Sequence, residues 1–263
     1  MLQRDDRERP QDGLPSLSIV MPVYNEAAVI ETVISELETA VVDRFQGDIE
    51  VLVVDDVSSD ATPEILRTLE ASNRALRVHR NPTNQGHGAS LITAIERSGG
   101  EWIFHLDSDR QFDPQEFWDL WEERTHADLV LGYRKTRHDP TVRLMVAKVT
   151  SAMVSRLAGI QLRDPNCPFR VFRRETWNEF RPMMGPSPFA PSIMVSLGAA
   201  RRRSLKEIPV KHLAREHGRS SLKGLRLLRS LIRSTKQTIQ FSRQLHRHER
   251  SVALRSSSNA HRT

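Results

Sequence analysis

Four short runs, at residues 17–23, 49–54, 76–78 and 102–106, mostly apolar although Arg77 divides the third, each lead through a polar turn into a segment with helical spacing. No other feature of the chain restricts its fold so much. A short apolar run reads as a strand covered on both faces, and strands separated by helices are joined by crossovers that make them parallel. After the first run, Val29, Ile30, Val33, Ile34 and Leu37 keep a helical stripe behind Asn25, a good N-cap. After the second, Thr62-Pro63-Glu64 opens a helix with a capping residue and a proline at its first position. Loop 81–88 then leads to a helix carrying Leu91, Ile92, Ala94 and Ile95, and Asp113-Pro114 starts another at Trp118 and Trp121. Beyond these come a strand at 128–134, a helix with Leu144, Val149, Val154 and Leu157, and a short strand at Arg170-Val171-Phe172-Arg173. A proline-rich loop at 182–191 and a strand at 207–210, confined to an edge by Pro209, follow. The predicted fold class is α/β, a mostly parallel sheet with helices on both faces and a basic C-terminal helix.

The polar residues collect where the strands end. Asp107 and Asp109 follow the fourth run directly. Residues two apart on an extended chain point the same way, and open α/β sheets bind ligands at the carboxyl ends of strands. Two carboxylates aimed at one point repel unless a cation lies between them. Mg²⁺ or Mn²⁺ suits that place, since both take oxygen ligands and share them with phosphates. An isolated Asp-x-Asp is as readily a solvated turn; the strand before it favours the site.

Charge and length narrow the function further. No apolar run approaches the roughly 20 residues that span a bilayer, and residues 1–12 are charged, unlike a secretory signal. A cytoplasmic protein is expected. Cys167 is the single cysteine, so no internal disulfide forms. Residues 1–16 read as a disordered lead-in, 17–223 as one domain, and 224–263 as a basic amphipathic helix with a disordered end after Glu249. The net charge is +6, and the basic residues crowd beyond Arg201, which points to an anionic partner. Only Phe241 interrupts the basic tail and no nucleic-acid motif appears, which argues against nucleic acid. Leu225, Leu228, Ile232 and Ile239 form a stripe beside Arg226, Arg229, Arg233, Lys236, Arg243 and Arg247. Such a helix lies on an anionic membrane, or packs on the domain or a second copy.

Taken in order, Pro22-Val23-Tyr24-Asn25-Glu26, Val54-Asp55-Asp56 with Ser58 and Asp60, Asn84-Gln85-Gly86, and Asp107-Ser108-Asp109 resemble the family-two glycosyltransferases of the GT-A fold. Asp109-Arg110-Gln111, Gly132-Tyr133-Arg134, Asp164 with Phe169-Arg170, Glu207-Ile208-Pro209-Val210 and Arg215-Glu216-His217-Gly218-Arg219-Ser220 are similar to the dolichyl- or polyprenyl-phosphate mannosyltransferases within it. The resemblance spans residues 17–223. It implies an inverting enzyme that moves a hexose from a GDP- or UDP-sugar to a polyprenyl phosphate, peripheral on the inner membrane face. It implies that Pro22, Tyr24, Glu26, Asp56, Gln85 and Ser108 hold the donor, with Asp56 on the base or ribose in a place where its loss would spare stability. It implies that Asp107 faces the ribose, Asp109 and Gln111 hold Mg²⁺ or Mn²⁺ with it, and Arg134 and Arg215 contact phosphates.

Three positions depart from the family pattern: Val57 and Pro168 stand where glycine is usual, and Ser221 stands where a phosphate-binding lysine is usual, leaving Lys223 or Arg219 to substitute. Hydroxyl acceptors need a general base, and the family's late Glu-Asp pair is missing between Arg170 and Arg203. A phosphate monoester needs none, which favours a lipid phosphate over the alternative, a soluble transferase with a sugar or small-molecule hydroxyl as acceptor. His87, His105 and His217 read as structural rather than as bases.

Overall fold

The computed structural model describes residues 16–136, 141–214 and 224–260, without the side chains of 224–228 and 252–260. Its strands are β1 (Ser16–Val23), β2 (Asp48–Asp55), β3 (Leu76–Arg80), β4 (Trp102–His105), β5 (Leu129–Arg134), β6 (Arg170–Arg173) and β7 (Leu205–Val210). They form one sheet in the order β3-β2-β1-β4-β6-β5-β7. The pairings among β3, β2, β1 and β4 are parallel, as is β5 with β7, whereas β6 runs antiparallel to both β4 and β5. The strand order turns back at β1, so the crevice of this sheet opens beyond the carboxyl ends of β1 and β4.

Helices α1 (Ile30–Ala40), α2 (Thr62–Ser72) and α3 (His87–Arg97) supply the three crossovers of the first half. α4 (Phe117–Glu123), α5 (Thr141–Ala158), α6 (Arg174–Phe180), α7 (Pro191–Arg202) and α8 (Gly224–Ala260) follow. The expected start at Asp113-Pro114 is present as a 3-10 turn, where the Asp113 carboxylate accepts the Gln115 N–H at 2.9 Å. β1, β2 and β4 are largely apolar and almost wholly buried, as their sequence predicts, whereas β3, at the sheet edge, buries only Leu76 fully.

Several expectations change. Asn25 does not cap α1, which begins five residues later; the Glu26 carbonyl takes the N–H groups of Val29 and Ile30 instead. Asp60 caps α2 by accepting the Thr62 N–H at 3.0 Å, which frees the Thr62 hydroxyl to accept the Glu26 N–H at 3.0 Å. Of the lead-in, Ser16 already belongs to β1 and the remainder lies outside the described residues. α6 and α7 were not anticipated. Residues 191–199 of α7 are all buried, so the helix has no polar face and hence no stripe to read. α8 continues to Ala260 rather than fraying after Glu249; residues 250–260 contain no glycine or proline to stop it. Its middle is part of the domain: Phe241 and Leu245 are buried, and Arg201 is ion-paired with Glu249. The tail's apolar face thus serves the core along this stretch. Among the described residues no helix is long and apolar enough to cross a membrane.

Candidate active site

Three successive strand ends build the crevice, and each turns through a non-glycine residue with positive φ: Asn25 at 55° after β1, Val57 at 64° after β2, Arg110 at 59° after β4. Left-handed backbone is costly for such residues, most of all for β-branched valine, and persists where the surroundings hold it. Each turn is indeed tied down. The Asn25 Oδ1 accepts the Ser59 N–H at 2.7 Å, and the Ser58 hydroxyl accepts the Asn25 N–H at 2.9 Å, which laces the first turn to the second. The Arg110 guanidinium makes a bidentate pair with Glu36 on α1, at 3.1 and 2.6 Å.

The two acids of the second turn have divided roles. Asp55 accepts the Ser58 N–H at 3.0 Å and pairs with Arg80 at 2.7 Å, closing its own turn. Asp56 departs from expectation. It is 2 % exposed and fully engaged. Its Oδ1 accepts from Asn81 Nδ2 at 2.8 Å and the Gln85 N–H at 2.9 Å, and its Oδ2 accepts the Gly86 N–H at 2.7 Å. The carboxylate therefore holds loop 81–86 rather than facing open solvent. Gly86, with φ 86°, then turns the chain into α3. Gly88 is required one step on, because a Cβ there would sit 2.5 Å from the Phe189 carbonyl oxygen.

The Asp107-Ser108-Asp109 turn lies beyond β4, between these loops. The Ser108 hydroxyl donates to the Pro22 carbonyl at 3.3 Å, fixing it to β1. Asp109 Oδ1 accepts the Gln111 N–H at 3.2 Å, and Gln111 holds Leu213 through its backbone carbonyl at 2.9 Å and its side-chain amide at 3.2 Å. Phe112 stacks on Phe169 below, with centroids 5.4 Å apart. Tyr24 stands 46 % exposed at the rim, Gln85 is exposed beside it, and Glu26 is buried beneath.

Two histidines missed as site residues join Asp107. His87 Nε2, on the first residue of α3, lies 2.9 Å from Asp107 Oδ1, and His105 Nε2 lies 3.4 Å from the same oxygen. The signal was present for His105, the last residue of β4 and two before Asp107, which shares its face if the chain stays extended. Loss of water opposes charging His87, yet Asp107 at hydrogen-bond distance, with Asp109 and Asp56 behind it, raises it above its ordinary value. Burial pushes His105 down to about 4. Burial works against the Asp107 charge, but the two rings outweigh it and hold the carboxyl well below the usual range.

The expected phosphate ligand Arg134 sits at the end of β5, bonded in bidentate fashion to buried Asp164 at 2.6 and 3.0 Å. Arg215 lies outside the described residues, as do Arg219, Ser221 and Lys223. Arg170 is a buried anchor: its guanidinium donates to the carbonyls of Cys167 at 2.8 Å, Ser192 at 2.7 Å and Pro165 at 3.2 Å. Burial lowers it to about 10 and raises the neighbouring Cys167 thiol to about 12, so that thiol is inert. A groove of about 480 Å³ lies between α2 and β3, lined by Asp55 and Arg80 at the carboxyl ends of β2 and β3 and by Ser59 and Arg67.

Asp107, Asp109 and Gln111 alternate along the turn after β4 and carry side-chain oxygens, the donor type that a hard divalent cation takes.

Residues 18–179 match the model of glycosyl transferase family 2. The chain is 30% identical over 207 residues to an undecaprenyl-phosphate 4-deoxy-4-formamido-L-arabinose transferase from Aeromonas hydrophila subsp. hydrophila, covering 78% of this chain and 62% of that one. It is 29% identical over 206 residues to a dodecaprenyl-phosphate galacturonate synthase from Rhizobium johnstonii, covering 77% and 60%. It therefore spans less than two thirds of the length of these relatives. The fold is similar to that of glucosyl-3-phosphoglycerate synthase from Mycobacterium tuberculosis bound to Mn²⁺, UDP and glucosyl-3-phosphoglycerate, with a TM-score of 0.60, 21% identity, and coverage of 87% of this chain and 80% of that one. It is also similar to S. aureus TarS 1-349 in complex with UDP-GlcNAc, with a TM-score of 0.54, 19% identity, and coverage of 78% and 60%. These likenesses make the fold GT-A.

Proposed function

The chain belongs to glycosyl transferase family 2, and from that premise we propose that it moves a hexosyl group from a GDP- or UDP-sugar to a polyprenyl phosphate, with inversion. The observation that carries the reading is the placement of Asp107 and Asp109 at the carboxyl end of β4, where the strand order reverses, against a loop clamped by Asp56. The acceptor is inferred from the relatives named for undecaprenyl and dodecaprenyl phosphates.

In this reading Tyr24 and the 84–86 loop receive the nucleoside, and Asp107, Asp109 and Gln111 hold Mg²⁺ or Mn²⁺. A bound divalent ion supplies charge to offset that building on the departing diphosphate. The chain's own part is to hold one acceptor phosphate oxygen, the anomeric carbon and the leaving diphosphate oxygen in line. An acceptor phosphate oxygen attacks that carbon from the face opposite the diphosphate, which leaves with the bonding pair. The acceptor is an anion near neutral pH, so no proton need be removed. His87 is engaged by Asp107 and His105 is buried, which leaves neither as a free base. Arg134 acts by fixing Asp164 and the end of β5.

A lipid acceptor also accounts for α5. Val142, Met145 and Val149 recur at helical spacing and are exposed, with Lys148 exposed beside them. The helix starts a few residues beyond the site end of β5. On α8, exposed Ile232 lies among Arg229, Arg233 and Lys236. We include in the proposal that these faces rest on the membrane carrying the acceptor.

The test is incubation with labelled GDP- and UDP-hexoses, Mg²⁺ or Mn²⁺ and purified undecaprenyl phosphate. Label should enter the organic phase, and Asp109→Asn should abolish transfer while leaving the unfolding midpoint unchanged. Label confined to water-soluble glycosides would replace the lipid acceptor by a hydroxyl. Full transfer in excess chelator would remove the metal from the scheme.

A further inference from the structure

We propose that His87, His105 and Asp107 form a second cation site that shares Asp107 with the oxygen set of Asp107, Asp109 and Gln111 and is selective for a borderline transition ion such as Zn²⁺ over Mg²⁺. The ligand atoms of these three residues all lie within 4.8 Å of one another. Both imidazole Nε2 atoms converge on one carboxylate oxygen, at 2.9 and 3.4 Å. Ligands about 2.0–2.1 Å from a tetrahedral ion stand about 3.3–3.4 Å from each other, so the two nitrogen-to-oxygen separations are already close to those of a coordination shell, and the two rings, within 4.8 Å of each other, would close on the ion.

The second observation is His105 itself. It is 1 % exposed, and neither ring nitrogen has a good hydrogen-bond partner. A buried polar ring aimed at a carboxylate and left unsatisfied is rare in a native core, and an ion between them would satisfy it. His87, by contrast, is exposed on the first residue of α3, which gives an ion a path from solvent. Two imidazoles and one carboxylate suit zinc-like ions and not magnesium, which prefers six oxygens and holds its waters.

An ion here takes the carboxylate that the donor pocket also uses. Zn²⁺ should accordingly inhibit transfer, a consequence that rests on the function proposed above. Binding itself does not, so it is measured without donor or acceptor. Untagged full-length protein is titrated with Zn²⁺ by calorimetry at fixed pH, and with Co²⁺ followed by its visible ligand-field bands. One equivalent should bind in the presence of excess Mg²⁺, and Zn²⁺ should displace Co²⁺. His87→Gln, at an exposed position that should fold, should weaken binding at least about tenfold, the loss already seen when an outer partner of a metal ligand is removed. His105→Gln should do the same, and Asp109→Asn should leave Zn²⁺ affinity unchanged. Absence of saturable binding by the wild-type chain overturns the proposal. So does affinity unchanged in His87→Gln, or lost as fully in Asp109→Asn as in His87→Gln.

Discussion

Asp56→Ala should cost about 2–4 kcal/mol of folding free energy, far more than a pocket-lining acid would. The carboxylate accepts from Asn81 Nδ2, the Gln85 N–H and the Gly86 N–H at 2.8, 2.9 and 2.7 Å. A hydrogen bond to a charged group contributes about 1.5–3 kcal/mol, so three separate bonds would sum to well above the expected figure. Two corrections reduce it. Asn81 keeps the Ser90 hydroxyl at 2.9 Å, and Gln85 lies on exposed loop where water can take its N–H. Asp56→Asn should fall between, since the amide keeps one acceptor but turns a donor toward N–H groups. Urea unfolding of the three proteins measures the differences, with equal slopes expected. Amide exchange at Gln85 and Gly86 should accelerate in both variants. A free energy for Asp56→Ala within about 0.5 kcal/mol of wild type, the usual range for surface changes, would refute the clamp and return Asp56 to a purely ligand-facing role.

Val57→Gly should raise stability by about 1 kcal/mol, because left-handed valine stores about 1–3 kcal/mol of strain against the smaller entropic cost of glycine; a lower melting temperature for the variant would count against it. Arg170→Met should cost about 3–5 kcal/mol, the loss typical of breaking a buried charged network. Arg170→Lys should recover little, since one ammonium cannot span three carbonyls, and a lysine variant as stable as wild type would contradict this. Glu50 should govern part of the acid limb. Burial raises its carboxyl, but bonds from the Gly99 N–H, Ser18 and Arg77 outweigh that and lower it below 4.5. A depressed carboxylate stabilises above its unfolded value and loses that contribution as pH falls through the folded one. The stability gap between wild type and Glu50→Gln should therefore shrink below pH 4.5, and a gap constant from neutral to strongly acid pH would exclude the assignment.

The sequence determined what depends on periodicity and on backbone chemistry near at hand. The runs at 17–23, 49–54 and 102–106 are apolar but for Ser18, Glu50 and His105, because both faces of these strands are buried, so they could be read without a partner strand in view. The placement of Asp107 and Asp109 at a strand end followed from the same local pattern, as did the Asp113-Pro114 start. Tertiary structure decided what depends on contacts across the fold. β6 pairs antiparallel with β4 and β5 on either side, and even the nearer of these is separated from it along the chain by the whole of α5. α7 is buried on nearly every face, so its sequence carries no stripe to announce it. Arg134 looks like a free cation in sequence, yet its partner Asp164 is brought to it across 30 residues. Asp56 is a turn acid by spacing and a clamp only because loop 81–86 returns over it. His87 reaches Asp107 for the same reason: the start of α3 meets the turn after β4 in space, and the two residues are 20 apart along the chain. A carboxylate or an imidazole announces its chemistry in the sequence, but its charge, its partners and its access to solvent are fixed only when distant backbone closes around it.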